Sequence, residues 1–436
     1  MGVVRGWLRE TTGGLPRTFW YLWCGTLVNR LGGFVLIFLT VYLTKERGFS
    51  DIQAGLVVGL WSAGGGIGTM VGGILADRWG RRPTLLIAHV GGASMMLLLG
   101  FSRPFAMIAG VAFALGTFAE AARPAFAAMM VDVVPDRDRV RAFSLNYWAI
   151  NLGFASAAIL GGFAAHLDYL LLFVLDASAT LVTAAIVFVK IKETRPTGAH
   201  VPSGAGSGRG GLGMVLRDRV FLIFTGANLL GAMVFLQHVS MLPIAMSDDG
   251  LSSSTFGWVI ALNGLLIVLG QLFIPKLIAG HGRARVLAVG TIVQGVGFGL
   301  TALAGSAWLY AMTVLIWTVG EMVYSPANAA TIADLAPASV RGRYQGVFAL
   351  SWSIAGFTAP VAGGFVRDLL GNSALWIGCA LIAFVAAAIN LSAGPARERR
   401  AAVIAAAARV PSPRAAVAPA PPGVISDTLA PTSSAS

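Results

Sequence analysis

Gly73-Ile-Leu-Ala-Asp77-Arg78-Trp-Gly80-Arg81-Arg82 places one acid and three arginines between two long apolar runs. A chain that crosses lipid can keep such a knot only where the flanking helices emerge into water, because each charge left in hydrocarbon costs several kcal/mol, roughly 2.5–3.5 on insertion scales. The rest of the sequence fixes what that water-exposed corner belongs to. The chain has 436 residues, 56% of them hydrophobic and 11% charged, with a mean hydropathy of +0.77. A soluble chain carries about 25% charged residues. This one cannot cover a water-facing surface and is expected to be an all-α integral membrane protein.

Twelve apolar runs are long enough to span a bilayer, at roughly 18–43, 53–76, 83–101, 104–133, 142–165, 167–190, 220–245, 254–279, 285–304, 306–334, 344–366 and 374–394. The basic N-terminus (Arg5, Arg9, Arg17) precedes a run too long for a signal-peptide core, so the first run is expected to remain as a helix. With both termini in the cytoplasm, 25 of the 31 Lys and Arg fall on the inner side, as the positive-inside rule requires. The net charge of +12 is accounted for in this way and needs no nucleic acid. Cys24 and Cys379 lie apart in apolar runs, and no metal-ligand, phosphate-loop or nucleophile motif occurs. Neither an enzyme nor a cofactor is expected.

The chain repeats itself. At a shift of 202 residues, Pro124–Pro135 lies on Pro326–Pro337, Arg139 and Arg141 on Arg341 and Arg343, Gly161-Gly162-Phe163 on Gly363-Gly364-Phe365, and Gly80-Arg81 on Gly282-Arg283. Six spans per half give the two repeats the same orientation, with the substrate site expected between them near the bilayer midplane. The expected organisation is a cytoplasmic N-terminus (1–17), a six-helix bundle (18–190), a Gly/Ser-rich basic linker (191–219), a second six-helix bundle (220–394) and a disordered cytoplasmic tail (395–436) with a short Ala-rich helix near 396–409.

The motif Gly73-x-x-x-Asp77-Arg78-x-Gly80-Arg81-Arg82, with its weaker echo Gly282-Arg283-Ala-Arg285, resembles the loop 2–3 signature of the major facilitator superfamily. Overall the chain looks most like that family's 12-span drug/proton antiporter branch. The resemblance implies two pseudo-symmetric six-helix bundles around a central cavity, a monomer, a small-molecule substrate and alternating access. It implies that Asp77 faces the N-terminus of span 11 near Arg343, while Arg81 pairs with Asp132, forming a latch that exists when the cytoplasmic side is closed. The antiporter branch usually has an Arg early in span 4 and a Gly-Pro element in span 5. Here span 4 has Arg123 only near its end, and the Gly-Pro element stands in span 11, at Gly356–Pro360.

Ionisable residues inside spans are functional candidates by cost alone. They are Arg30, Glu120, Arg123, Asp176 and Glu321, with His238 as a further proton carrier. Glu120 and Arg123, three apart on one helix face, can pair, and Arg30 is expected to seek Asp176 or Glu120. The second half has no mid-span Lys or Arg to neutralise Glu321. The proton-coupling candidates are therefore Glu321, Glu120 and Asp176. Polar and aromatic residues expected on the cavity wall are Asn29, Trp61, Asn146, Tyr147, Asn151, Asn228, Gln237, Asn263, Trp317 and Tyr324. This amphipathic wall suits lipophilic compounds, so proton-coupled efflux at the cell membrane is the first reading. A symporter or facilitator for a metabolite or organic anion, which would use Arg30 and Arg123 as ligands, is the second. A non-transporting receptor is the third.

Overall fold

The computed structural model describes residues 13–195, 212–271, 273–337 and 340–409. The Gly/Ser-rich stretch of the expected linker, the first twelve residues and the tail beyond 409 lie outside them. Twelve helices are long and apolar enough to cross a membrane. They are span 1 (Arg17–Glu46), 2 (Asp51–Arg78), 3 (Arg81–Phe101), 4 (Phe105–Val133), 5 (Arg141–Leu167), 6 (Tyr169–Lys190), 7 (Arg219–Ser240), 8 (Ser253–Gly270), 9 (Arg283–Leu303), 10 (Ala307–Leu335), 11 (Gly342–Leu370) and 12 (Asn372–Ser392). The expected helix near 396–409 is present as Gly394–Arg409.

Local chemistry sets the ends. Ser50 and Gln53 form a reciprocal capping box at the start of span 2. Ser252 and Asp218 accept the Thr255 and Phe221 N–H groups at the starts of spans 8 and 7. Span 8 is shorter than the sequence suggests. It stops at Gly270, and a separate turn, Ile274–Ile278, restarts with Pro275 in its first positions, because a proline lacks the N–H an ongoing helix needs. Spans 1 and 7 break at positions one repeat apart. Span 1 ends its first segment at Leu31 and resumes at Val35, and span 7 ends at Phe235 and resumes at Gln237.

Lipid tails are as apolar as leucine, so helices associate in a bilayer through close packing rather than through the hydrophobic effect. Spans 2 and 4 show the consequence. Gly64, Gly68 and Gly72 lie so close to the Phe113, Thr117 and Ala121 carbonyls that a Cβ at any of them has no room.

The two bundles are joined asymmetrically. We call the end carrying Arg17 and Gly394–Arg409 the terminal face and the opposite end the far face. At the far face one core runs through both halves, including Phe38 and Val57 of the first and Phe256, Ile260 and Trp376 of the second. Phe38 and Phe256 meet edge to face at 5.5 Å across the boundary. At the terminal face each half closes its own core. The first uses Phe19, Ala76, Met129 and Val187, and the second uses Phe221, Leu335, Tyr344 and Phe348. The molecule is thus shut at the far face and parted at the terminal face.

Candidate transport pathway and its gates

Spans 2 and 11 cross from opposite halves and record the parting residue by residue. Gly55 packs on Pro360, Gly59 on Phe357, Ser62 on Gly356 and Gly66 on Ser353. These pairs are antiparallel and their sums rise from 415 to 419 towards the terminal face; holding the last sum brings Gly73 level with Gly346 and Asp77 close to Arg343. The helices separate before reaching that point. A Cβ at Gly73 would meet only Pro124 of its own half, at 4.0 Å, and one at Gly346 would meet nothing within 4 Å. The Asp77 side chain is 75% exposed, with Arg81 Nη1 at 4.0 Å.

Within its own half the charged knot is tightly held. Arg81 Nε donates to Asp132 Oδ2 at 3.2 Å, and Nη1 to the Ala76 carbonyl. Arg82 donates to the Phe188 carbonyl. Gly80 has φ +116°, a conformation that L side chains rarely adopt. Glu193, which the sequence reading did not single out, accepts the N–H groups of Arg81 and Arg82. Burial disfavours its ionised form, but the N–H groups of Arg195, Arg81, Arg82 and Thr194 prevail and hold its pKa below the ordinary value.

The far face closes with charges that the sequence reading did not bring together. Arg367 of span 11 reaches Asp51 of span 2 and Asp248, the latter at 2.5 Å. Lys45 of span 1 donates to Asp248 at 2.7 Å, and Asp368 accepts the Ile52 N–H at 3.2 Å. Lys45 and Asp51 belong to one half and the other three to its partner, so the cluster ties the halves together. The Arg367 side chain is 8% exposed, which places these contacts in a setting where water does little to weaken them.

Between the gates, Arg123 pairs with Glu120 at 2.9 Å, as their spacing predicts. Asp176 takes a different role from the expected partner of Arg30. Its Oδ2 accepts the Val35 N–H at 3.1 Å and so caps the helix that restarts after the break in span 1. Arg30 has Glu120, Arg123 and Asp176 within electrostatic reach, but none of the described ion pairs includes it. Its side chain is exposed. His89 of span 3, not anticipated from sequence, also stands within electrostatic reach of Arg30.

Across the divide, Glu321 Oε2 accepts from Asn263 Nδ2 at 2.8 Å, and that amide also touches Thr318 Oγ1 at 3.2 Å. No described ion pair includes Glu321. Tyr147, on span 5 of the first half, lies within its electrostatic reach and is 45% exposed. Asn151, one turn on from Tyr147, presents its carbonyl to Gly264, where a Cβ would come to 3.0 Å.

Several expected wall residues are instead spent on packing. Trp317 is buried between Phe298 and His238, at 5.3 and 5.6 Å. His238 is committed to the Phe235 carbonyl at 2.6 Å, and Gln237 to the Ala359 carbonyl at 2.8 Å. Asn228, Tyr324 and Asn328 form a hydrogen-bonded set with Ser351. Asn29 bonds Thr180. Asn146 is buried with an unsatisfied Oδ1. Tyr147, Arg30 and Arg123 remain exposed, and Asn151 and Glu321 half-buried.

This arrangement of two six-helix halves, shut at one end and parted at the other, is matched by comparison. The family model described as Major Facilitator Superfamily fits residues 22–252 and 238–425. The chain belongs to the Major Facilitator Superfamily. A Na(+), Li(+), K(+)/H(+) antiporter of Planococcus maritimus is 26% identical over 75% of this chain and 84% of its own. Multidrug resistance protein MdtH of Citrobacter koseri is 24% identical over 77% and 83%. A crystal structure of a POT family transporter superposes with a TM-score of 0.75 at 16% identity, covering 89% of this chain and 98% of that one. The nucleoside transporter NupG does so at 0.71 and 14%, over 88% and 100%. The protein is a multi-pass membrane transporter of this superfamily.

Proposed function

We propose that the protein is a proton-coupled antiporter that exports small lipophilic or monovalent cationic compounds from the cytoplasm by alternating access. The observation that carries this reading is Glu321, a half-buried carboxylate with one amide donor and no ion-pair partner among the described residues. Such a group must hold either a proton or a cationic ligand to remain in a low-dielectric site. Binding one displaces the other, which is the exchange an antiporter needs. The Na(+), Li(+), K(+)/H(+) antiporter and MdtH relatives agree with cation-for-proton exchange. The excess of Lys and Arg on the inner side supports a cytoplasmic terminal face, and with that orientation the structure corresponds to the state that loads substrate from inside. Closure of that face would bring Gly73 onto Gly346 and Asp77 to the first turn of span 11 beside Arg343, where a negative charge is favoured. Arg81 stays on Asp132 meanwhile and keeps the loop rigid.

A second reading, transport of an organic anion, is favoured by Arg30, an exposed cation that is bound into no described ion pair. Proteoliposomes with an imposed pH gradient separate the two. Ethidium and Na⁺ flux driven by the gradient, abolished by Glu321→Gln and retained in Arg30→Gln, is the expected result. Gradient-independent flux, unaltered by Glu321→Gln, overturns the antiport reading. Loss only in Arg30→Gln supports the anion reading.

A further inference from the structure

In the closure proposed above, the first turn of span 11 must meet the end of span 2. Span 11 carries Pro360 inside its helix, and a proline interrupts the hydrogen-bond ladder and lets a helix bend. The stretch between Gly342 and that proline is free to swing away from its own half unless something holds it. One carboxylate does.

Asp218 stands just before span 7, with its side chain 9% exposed. It receives donors from three separate parts of the chain. Oδ1 accepts the Phe221 N–H at 3.1 Å and so caps span 7. Oδ2 accepts the Tyr344 hydroxyl, from the first turn of span 11, at 2.9 Å. It also accepts Arg400 Nη2, from the helix Gly394–Arg409, at 3.2 Å. Hydrogen bonds to an ionised acceptor are stronger than those between neutral groups, so the carboxylate joins three elements at one point.

The packing beside this node links the same elements. Tyr344 is fully buried and meets Phe221 edge to face at 4.6 Å. One turn further on, Phe348 stacks on Phe224 at 6.0 Å. Arg397, three residues before Arg400 and so on the same helix face, lies over Phe224 at 5.6 Å and donates to the Asn390 side-chain carbonyl of span 12 at 2.8 Å. The helix Gly394–Arg409 is thereby pinned at two points, to spans 7 and 12 by Arg397 and to spans 7 and 11 by Arg400.

The first half has no such node. The 202-residue shift places Asp218 on Pro16 and Tyr344 on Ala142, and neither has a polar side chain. What the first half brings to the closure is the end of span 2, which Arg81 and Glu193 already hold.

We infer that Asp218 is a positioning residue for the transport cycle. With Tyr344 and Arg400 it locks the start of span 11 to span 7 and to the helix Gly394–Arg409, so that Arg343 and Gly346 reach Asp77 and Gly73 as part of one rigid half. This rests on the closure of spans 2 and 11 proposed above and is independent of which ion or substrate is carried.

Two measurements on the full chain test it. Spin labels on cysteines replacing Gly342 and His281, with Cys24 and Cys379 changed to Ser, report where the start of span 11 lies within its own half, whatever the protein transports. Both positions are exposed, and a Cβ at Gly342 meets nothing within 4 Å. The distance distribution should be narrow with the node intact and broaden in Arg400→Gln and in Tyr344→Phe. In proteoliposomes, Vmax of gradient-driven ethidium flux should fall about tenfold in Arg400→Gln with KM unchanged, and recover to about half in Arg400→Lys. Tyr344→Phe should behave like Arg400→Gln, and the double variant should lose no more than either alone, because both break one node. Unaltered distances, unaltered Vmax or additive losses overturn the inference. Absence of gradient-driven ethidium flux in the wild type counts against the antiport reading alone, and the distances then decide this one. Should Arg400→Gln fail to fold, Tyr344→Phe, which keeps the buried ring, decides in its place.

Discussion

The far face and the terminal face of this transporter are built from the same helices and the same residue types, yet one is shut and the other parted. At the far face a shared core is reinforced by Arg367, Asp51, Asp248 and Lys45. At the terminal face each half keeps its own core, and Asp77 is left largely in water. Interfaces of packed side chains have discrete arrangements rather than a continuum. The contacts that hold one gate must therefore be released before the other can form. In the continued register of spans 2 and 11, the small residues facing each other at the shut end, Gly55 to Gly66 against Ser353 to Pro360, have a counterpart pair, Gly73 and Gly346, waiting at the open end.

The largest effect on this contrast should come from Arg367→Ala. Removing one member of a buried charge cluster while leaving Asp51 and Asp248 in place costs about 3–5 kcal/mol, enough to turn a closed far face into an open one. Spin labels on cysteines replacing Arg103 and Gly305, with Cys24 and Cys379 changed to Ser, report the distance across that face by pulsed electron resonance. The distribution should lengthen in Arg367→Ala and return in part when Asp51 and Arg367 are exchanged. An unchanged distribution would show that the shared core alone holds the face.

Gly346→Leu should separate stability from turnover. In the present state a Cβ there meets nothing within 4 Å, so thermal stability should stay within about 0.5 kcal/mol. Transport should fall more than tenfold, because the leucine stands where Gly73 must arrive. Normal turnover would mean that spans 2 and 11 close in another register.

The smallest effect expected is that of pH on the far face. Burial pushes the Asp248 pKa up, but hydrogen bonds and charges from Lys45 and Arg367 outweigh it, leaving the value below the ordinary 3.8. A depressed acid contributes its stabilisation at every pH above its unfolded value and loses it only as pH falls through the folded one. The spin-label distance in the wild type should therefore be the same at pH 8 and pH 5. A lengthening within that range would assign the far-face gate to a different titrating group.

Much of this protein could be read from the sequence. Hydrocarbon demands about twenty apolar residues per crossing, so the twelve spans declare themselves by length alone. The 202-residue repeat, visible through Pro124 and Pro326 or Gly161 and Gly363, gives the two halves. The Arg81–Asp132 and Glu120–Arg123 pairs followed from motif and helical spacing. Less legible was which way a side chain turns within a span. Trp317, His238 and Gln237 looked like wall residues and are packing residues, because helix rotation is set by neighbours such as Phe298 and Ala359 rather than by composition. Asp176, one of two acids expected to partner Arg30, instead accepts the Val35 N–H and caps a helix break. Lys45, Asp51, Asp248 and Arg367 were scattered over more than 300 positions, and only the packed structure makes them one cluster.

The sequence by itself determined the membrane-spanning class, the doubled architecture and the charged corner at Gly73–Arg82. These depend on transfer energies and periodicity, which are local properties of the chain. Tertiary structure decided which gate is shut and which charges meet. Those depend on contacts between residues far apart in the chain, whose geometry no local pattern encodes.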